Sequence, residues 1–424
     1  ADLQDNLDHY EILADQIAIE LAQVSKIGDG FRFNPTGGGT DPREHFQKAR
    51  GEAEQNEVER RQAWHALLAL DGWQVTTNLV TLDLAPGLRS IFRDIAPDTQ
   101  KDVMSKWHGR EISGRVFMRD LLSVAKRHNP LPSINSAETD LDYHVFISNT
   151  SAVNELDQLV GDKKDARVIF WSPDVLTNAE QSLLTDFTAY RSLVRDFGSR
   201  DTEEARIVLN WVQERLRDQM GTLYRIVPDS YGRGRITAQD HSRMNFEVQG
   251  ELSAILAPLV QQVLDTVYES KELKFAAPAP FNDTNAVNVI NGIVKVGEIP
   301  RGAKPNKDIS AAQNYGFDLR IMRRPNDKKL DINDCPYTTS MLTFIQEKLS
   351  DTSALMPAVT LYKNFMGVGG PGGRNYGLSK RMVQLYLLCL VQQGKVRVAL
   401  TGRRVPVEAI DYSNIATTDF KVAV

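Results

Sequence analysis

Apolar residues recur at helical spacing in the first stretch of the chain: Leu7, Tyr10, Leu13, Ile17 and Leu21 predict an opening helix over 7–24. A loop over 31–40 follows, with Gly37-Gly38-Gly39, and Pro42 then suits a first helical turn. Glu44–Leu70 reads as one long charged helix, its apolar residues gathered at Trp64, Leu67, Leu68 and Leu70, and broken by Gly72. Trp73–Leu84 is strand-like, and Ile112–Met118 alternates as a strand that leads into a short helix over 119–126. Tyr143–Ser148 and Arg167–Trp171 are short apolar runs on either side of a helical stretch near Ala152–Val160, a βαβ pattern. Long helices are expected over Thr177–Asp196 and Thr202–Leu223. Short extended pieces follow at Ile226 and Ile236, around a turn at Tyr231–Gly234. Arg243–Glu269 reads as a further helix with Pro258 inside it as a kink or break.

The last ninety residues give the sharpest pattern. Helical segments at Thr339–Leu349 and Ala358–Phe365 precede Ser379, which can cap a helix running to Gln393, with Gly394 ending it. Lys395–Leu400 alternates as a strand, Thr401-Gly402-Arg403-Arg404 makes a turn, and Val405 starts a return strand. Three helices, strand, basic turn and strand is the order of a winged helix-turn-helix. Breaks in the pattern fall at Asn129–Asp140, Ala276–Phe281 and Pro300–Lys307, all containing proline. The expected organisation is a helical plus β-hairpin domain over 1–130, an α/β domain with long helices over 136–275, an irregular connecting segment over 276–333, and the winged helix over 334–424. The fold class is mixed α/β and α+β, multidomain.

Charge sharpens this picture. The chain has 424 residues and a formal charge of −5. Yet Thr352–Val407 holds no Asp or Glu while carrying Lys363, Arg374, Lys380, Arg381, Lys395, Arg397, Arg403 and Arg404. Such a reversal is the footprint of an anionic partner, and duplex DNA is the expected one. Candidate contacts are Arg374, Lys380, Arg381, Gln384, Lys395, Arg397, Arg403 and Arg404, from the third helix, its approach and the wing. Lys106, Arg110, Arg115 and Arg119 would form a second basic surface on a glycine-punctuated hairpin. Met382–Val391 is apolar nearly all round, which fits a helix buried on both faces better than one reading a groove. Docking against its own protein therefore stays open beside nucleic-acid contact.

Other chemistry is sparse. Gly367–Arg374 resembles a phosphate loop, but the nearest spacing match gives Gly377-Leu378-Ser379, with leucine where the phosphate-binding lysine must stand. Asn78–Asp83 resembles a strand ending in a metal-binding aspartate, with no phosphate loop before it. The seven histidines form no HExxH and no His/Cys cluster, and Asp140, Asp142 and His144 read as loop solvation as readily as a metal site. Cys335 and Cys389 give no disulfide framework. We expect no catalytic residue, no metal and no cofactor here. No apolar run is long enough to span a bilayer, and no secretory leader opens the chain, so a cytoplasmic location is expected. The start at Ala1 without Met, inside an acidic helix, and the close at Val424 shortly after Lys421 suggest a segment of a longer protein.

Five stretches carry a resemblance. They are WHGREISGRVFMRDL (Trp107–Leu121), INSAETDLDYHVFIS (Ile134–Ser148), ARVIFWSPDVL (Ala166–Leu176), INGIVKVGEIP (Ile290–Pro300) and YGLSKRMVQLYLLCLVQQGKVRV (Tyr376–Val398). In that order they resemble the region downstream of the ATPase core in the large P-loop proteins of bacteriophage-exclusion (BREX) and phage-growth-limitation systems, over about Phe31 to Gly402. The resemblance implies an accessory part of an antiviral ATPase. Its partners would be other phage-defence proteins, a DNA modification enzyme among them, and its own ATPase core. It supplies no active site, since the family's phosphate-binding lysine has no counterpart. The alternative is a stand-alone winged-helix DNA-binding regulator.

Overall fold

The structure is a computed structural model. It describes residues 24–27, 30–33, 41–69, 74–76, 81–83, 91–92, 95–120, 134, 139–149, 165–238, 251–302, 304–349, 355–368, 374–400 and 420–423. The expected helices over 7–24, 119–126 and 152–160, and the basic turn with Arg403 and Arg404, lie outside or largely outside these residues. The chain is mixed α and β, and divides into two compact units, 1–97 with 173–234 and 98–172 with 235–424.

The first unit holds two short antiparallel hairpins, β1 (Val24–Ile27) with β2 (Gly30–Phe33) and β3 (Gln74–Thr76) with β4 (Thr81–Asp83). Its helices are α1 (Pro42–Gln55), α2 (Glu57–Leu68), α3 (Asn178–Phe197) and α4 (Glu203–Arg233). The long helix expected over 44–70 is two helices, because Asn56 leaves helical geometry and its side chain accepts from Glu59 N–H to cap α2. Thr177 and Glu180 close a capping box at the start of α3. The helix expected to stop at Leu223 runs on to Arg233, through Pro228. Ile226 and Tyr231 are thus helical, and both are buried. Phe46 stacks on Tyr190, and Arg50 pairs with Asp186 at 2.7 Å.

The second unit carries a five-stranded sheet in sequence order: β5 (Gln100–Trp107), β6 (Arg110–Arg119), β7 (Tyr143–Ser148), β8 (Val168–Ser172) and β9 (Arg235–Thr237). β6, β7 and β8 are mutually parallel, while β5 and β9 are antiparallel at the edges. The β5–β6 turn places His108 and Gly109 at positive φ, as a two-residue hairpin turn requires. One face of the sheet holds an aromatic row, Phe117, Phe146 and Phe170, stacked at 4.7 and 5.5 Å.

α5 (Leu252–Val267) lies against β5. Residues 276–333 contribute α6 (Asp283–Val289), a π turn over Ile290–Val294, and α7 (Lys307–Tyr315). Their buried Val289, Ile293, Ala312 and Leu319 join a hydrophobic core of the second unit, so the stretch expected to be irregular is packed structure. The chain closes with α8 (Pro336–Lys348), β10 (Met356–Pro357), α9 (Ala358–Phe365), α10 (Lys380–Gln392), β11 (Arg397–Leu400) and β12 (Phe420–Ala423). The last three strands form an antiparallel sheet ordered β10-β12-β11.

Candidate nucleic-acid interface

The expected α10 is present with its signals in place. Ser379 accepts from Met382 N–H at 3.3 Å, and Gly394 takes positive φ just past the end. Its environment decides what it can do. Met382 through Val391 are all buried, and α10 packs against α6, α8, α9 and the π turn. It is a core helix, with no face left for a groove. Gln384, expected near base edges, is fully buried. It donates to Tyr362 Oη at 2.9 Å and accepts from Arg381 Nη1 at 3.1 Å. Lys380 lies over the Tyr362 ring, 5.2 Å from its centre. Asp140 accepts from the Lys380 backbone N–H, and its carboxylate faces Lys380 and Arg381. Burial nonetheless pushes the Asp140 carboxyl up. The amino end of α10 is thus already balanced by the protein's own acid.

The remaining cations sit elsewhere. Arg374 is exposed, 3.9 Å from the Glu269 carboxylate. Lys395 and Arg397 are exposed at the start of β11. Register pairs Arg397 with Ala423 and Ala399 with Lys421, so Arg397 and Lys421 share the outer face of the small sheet. Val398, Phe420 and Val422 fill its inner face. Lys421 is a cation on this face that the sequence reading did not single out. The return strand was expected at Val405, outside the described residues, whereas β11 pairs with a strand beginning at Phe420.

The second basic surface is corrected. The hairpin exists, but Arg110 is only 2% exposed. Its guanidinium lies 4.6 Å over the Trp107 ring, and Nη2 donates to Gly377 O at 2.5 Å. Burial pulls its pKa down, with Asp142 opposing. Asp142 in turn is pushed up by burial and held back chiefly by Arg110. Tyr268 Oη donates to Asp142 O at 3.2 Å and Oδ1 at 3.3 Å. The tip of the hairpin is stitched down as well: Phe275 N–H donates to His108 O and Phe281 N–H to Gly109 O. On the outer face, Lys106 is opposite Glu111, and Arg115 is paired with Asp102 at 2.5 Å. Arg119 lies over Phe117 at the far end of β6. What looked basic in sequence is, around Lys106 and Arg115, a charge-balanced ladder.

Gly377, part of the glycine-rich stretch, has positive φ and packs so close to Tyr268 that a β-carbon would collide with the ring. Packing explains this glycine without a phosphate. His144 is buried against Phe117, and among the described residues no three His, Cys, Asp or Glu side chains converge as metal ligands. Cys335 and Cys389 are both buried free thiols. Among the described residues no helix is long and apolar enough to cross a membrane. Comparison with protein-family models, with curated proteins and with solved structures finds no match.

Proposed function

We propose that this chain is an accessory, non-catalytic region of a phage-defence ATPase, and that residues 336–423 are a winged helix serving assembly and weak, sequence-independent contact with duplex DNA. Helix, strand, helix, helix, strand, strand, with the last strand central in the sheet, is the arrangement that supports the winged-helix reading. The observation that carries the DNA reading is the placement of Lys395, Arg397 and Lys421 on or beside the outer face of that sheet, with no acid between 352 and 407. Contact then runs through the outer face of that sheet. The buried α10 acts as the core that holds the unit, not as a reading helix. Cations on strands meet phosphates and not base edges, so affinity is independent of sequence. Fluorescence anisotropy with two labelled duplexes of unrelated sequence at low salt tests this. Equal, measurable binding to both is expected. No binding to either would remove DNA as the partner and leave the small sheet as a docking surface for the ATPase core or another defence protein.

A further inference from the structure

The outer face of the β5–β6 hairpin carries one side chain that its charge ladder does not use. Met104 of β5 stands opposite Ser113 of β6. Two residues to either side along β5, on the same face, Asp102 is opposite Arg115 and Lys106 is opposite Glu111. Amid these charges Met104 is 57% exposed. The rest of the molecule treats methionine differently. The sequence has nine methionines, and Met244 lies outside the described residues. The remaining seven are at most 4% exposed, with Met118, Met341 and Met382 at 0%.

The exposed thioether is also held in place. Ser113 Oγ donates to Met104 Sδ at 3.2 Å. A thioether sulfur has two lone pairs, and the serine hydrogen engages one of them. The other is open to an electrophilic oxygen arriving from solvent. Oxidation to the sulfoxide turns a flexible apolar side chain into a polar one, which disrupts a packed core. At Met104 no core surrounds the sulfur. The new oxygen sits on the atom that Ser113 already reaches, and it is a stronger acceptor than the thioether. The ladder on either side keeps its pairs.

We infer that Met104 is a reversible oxidation site for peroxide, set on a surface that accepts the change without unfolding. The sulfur lone pair attacks one oxygen of hydrogen peroxide, so an S–O bond forms as the O–O bond breaks. Sulfur is oxidised to the sulfoxide and the peroxide is reduced to water. Reduction by a sulfoxide reductase with a thiol pair returns the thioether, with water and a disulfide as the other products. The modification replaces an apolar spot between two opposite-charge pairs by a polar acceptor and leaves the net charge unchanged. It belongs to the hairpin and does not depend on the DNA reading.

The test treats the full chain with dilute hydrogen peroxide and follows every methionine by peptide mass spectrometry over time. Met104 should become sulfoxide at least about tenfold faster than each of the seven buried methionines, which react only after local opening. The chain oxidised at Met104 should melt at the untreated temperature, and a methionine sulfoxide reductase should return it to its original mass. Met104→Leu should leave the rates at the seven buried positions unchanged. A buried methionine reacting as fast as Met104, a lower melting temperature after oxidation at Met104, or a sulfoxide that the reductase cannot reverse would each overturn the proposal.

Discussion

Arg110 shows how far one side chain can depart from its sequence appearance. In WHGR it reads as a surface charge at a hairpin tip. In the fold it is buried against Trp107, Gly377 and Met382, and faces Asp142. Truncating a large buried side chain to alanine costs about 2–5 kcal/mol. Arg110→Ala should therefore destabilise the chain by that order in chemical denaturation. Arg115→Ala, which breaks a partly exposed pair, should cost under about 1 kcal/mol. Equal costs for the two would show that Arg110 is not the buried anchor described. Gly377→Ala should cost more than about 1 kcal/mol, since both its φ and the Tyr268 ring oppose a side chain. An unchanged melting temperature would contradict that packing.

At the scale of elements, capping chemistry was the most legible signal. Ser379 and Gly394 bracket α10 as expected, and Thr177 opens α3. Thr177→Ala should cost about 1 kcal/mol and speed amide exchange in the first turn of α3. Exchange unchanged at 178–181 would mean that the cap contributes nothing. Strands β7 and β8 stood out because both are continuous apolar runs, as strands covered on both faces must be. Other elements were hidden for physical reasons. Asn56 is a polar residue within a charged helical run, and only its backbone geometry shows that it ends one helix and caps the next. Strand β10 is two residues long, and one is proline, so no periodicity can register it. The helices of 283–315 are short and flanked by prolines and glycines. α6 is held by packing against α10, and α7 by packing against α6 and the π turn, more than by their own propensity.

For the whole molecule, the mixed α and β class, the three C-terminal helices and strand β11 could be read from the chain. Which cations face solvent could not. That depends on partners remote in sequence: Asp140 for Lys380, Asp102 for Arg115, and Tyr362 for both Lys380 and Gln384. The apolar character of Met382–Val391 did signal burial, and the fold places those residues in the core. The acid-free stretch holds exposed cations, Lys395 and Arg397 among them at the small sheet, whereas the third helix is buried from Met382 to Val391. The central claim is that DNA contact runs through the wing side. Duplex affinity measured across a salt series tests it most directly, because each phosphate contact adds about −0.9 to the slope of log affinity against log salt. Lys395→Ala/Arg397→Ala should flatten the slope by about 1.8, while Lys380→Ala/Arg381→Ala should leave it within about 0.5 of wild type. The reverse pattern, with the helix pair carrying the slope and the strand pair silent, would contradict the account.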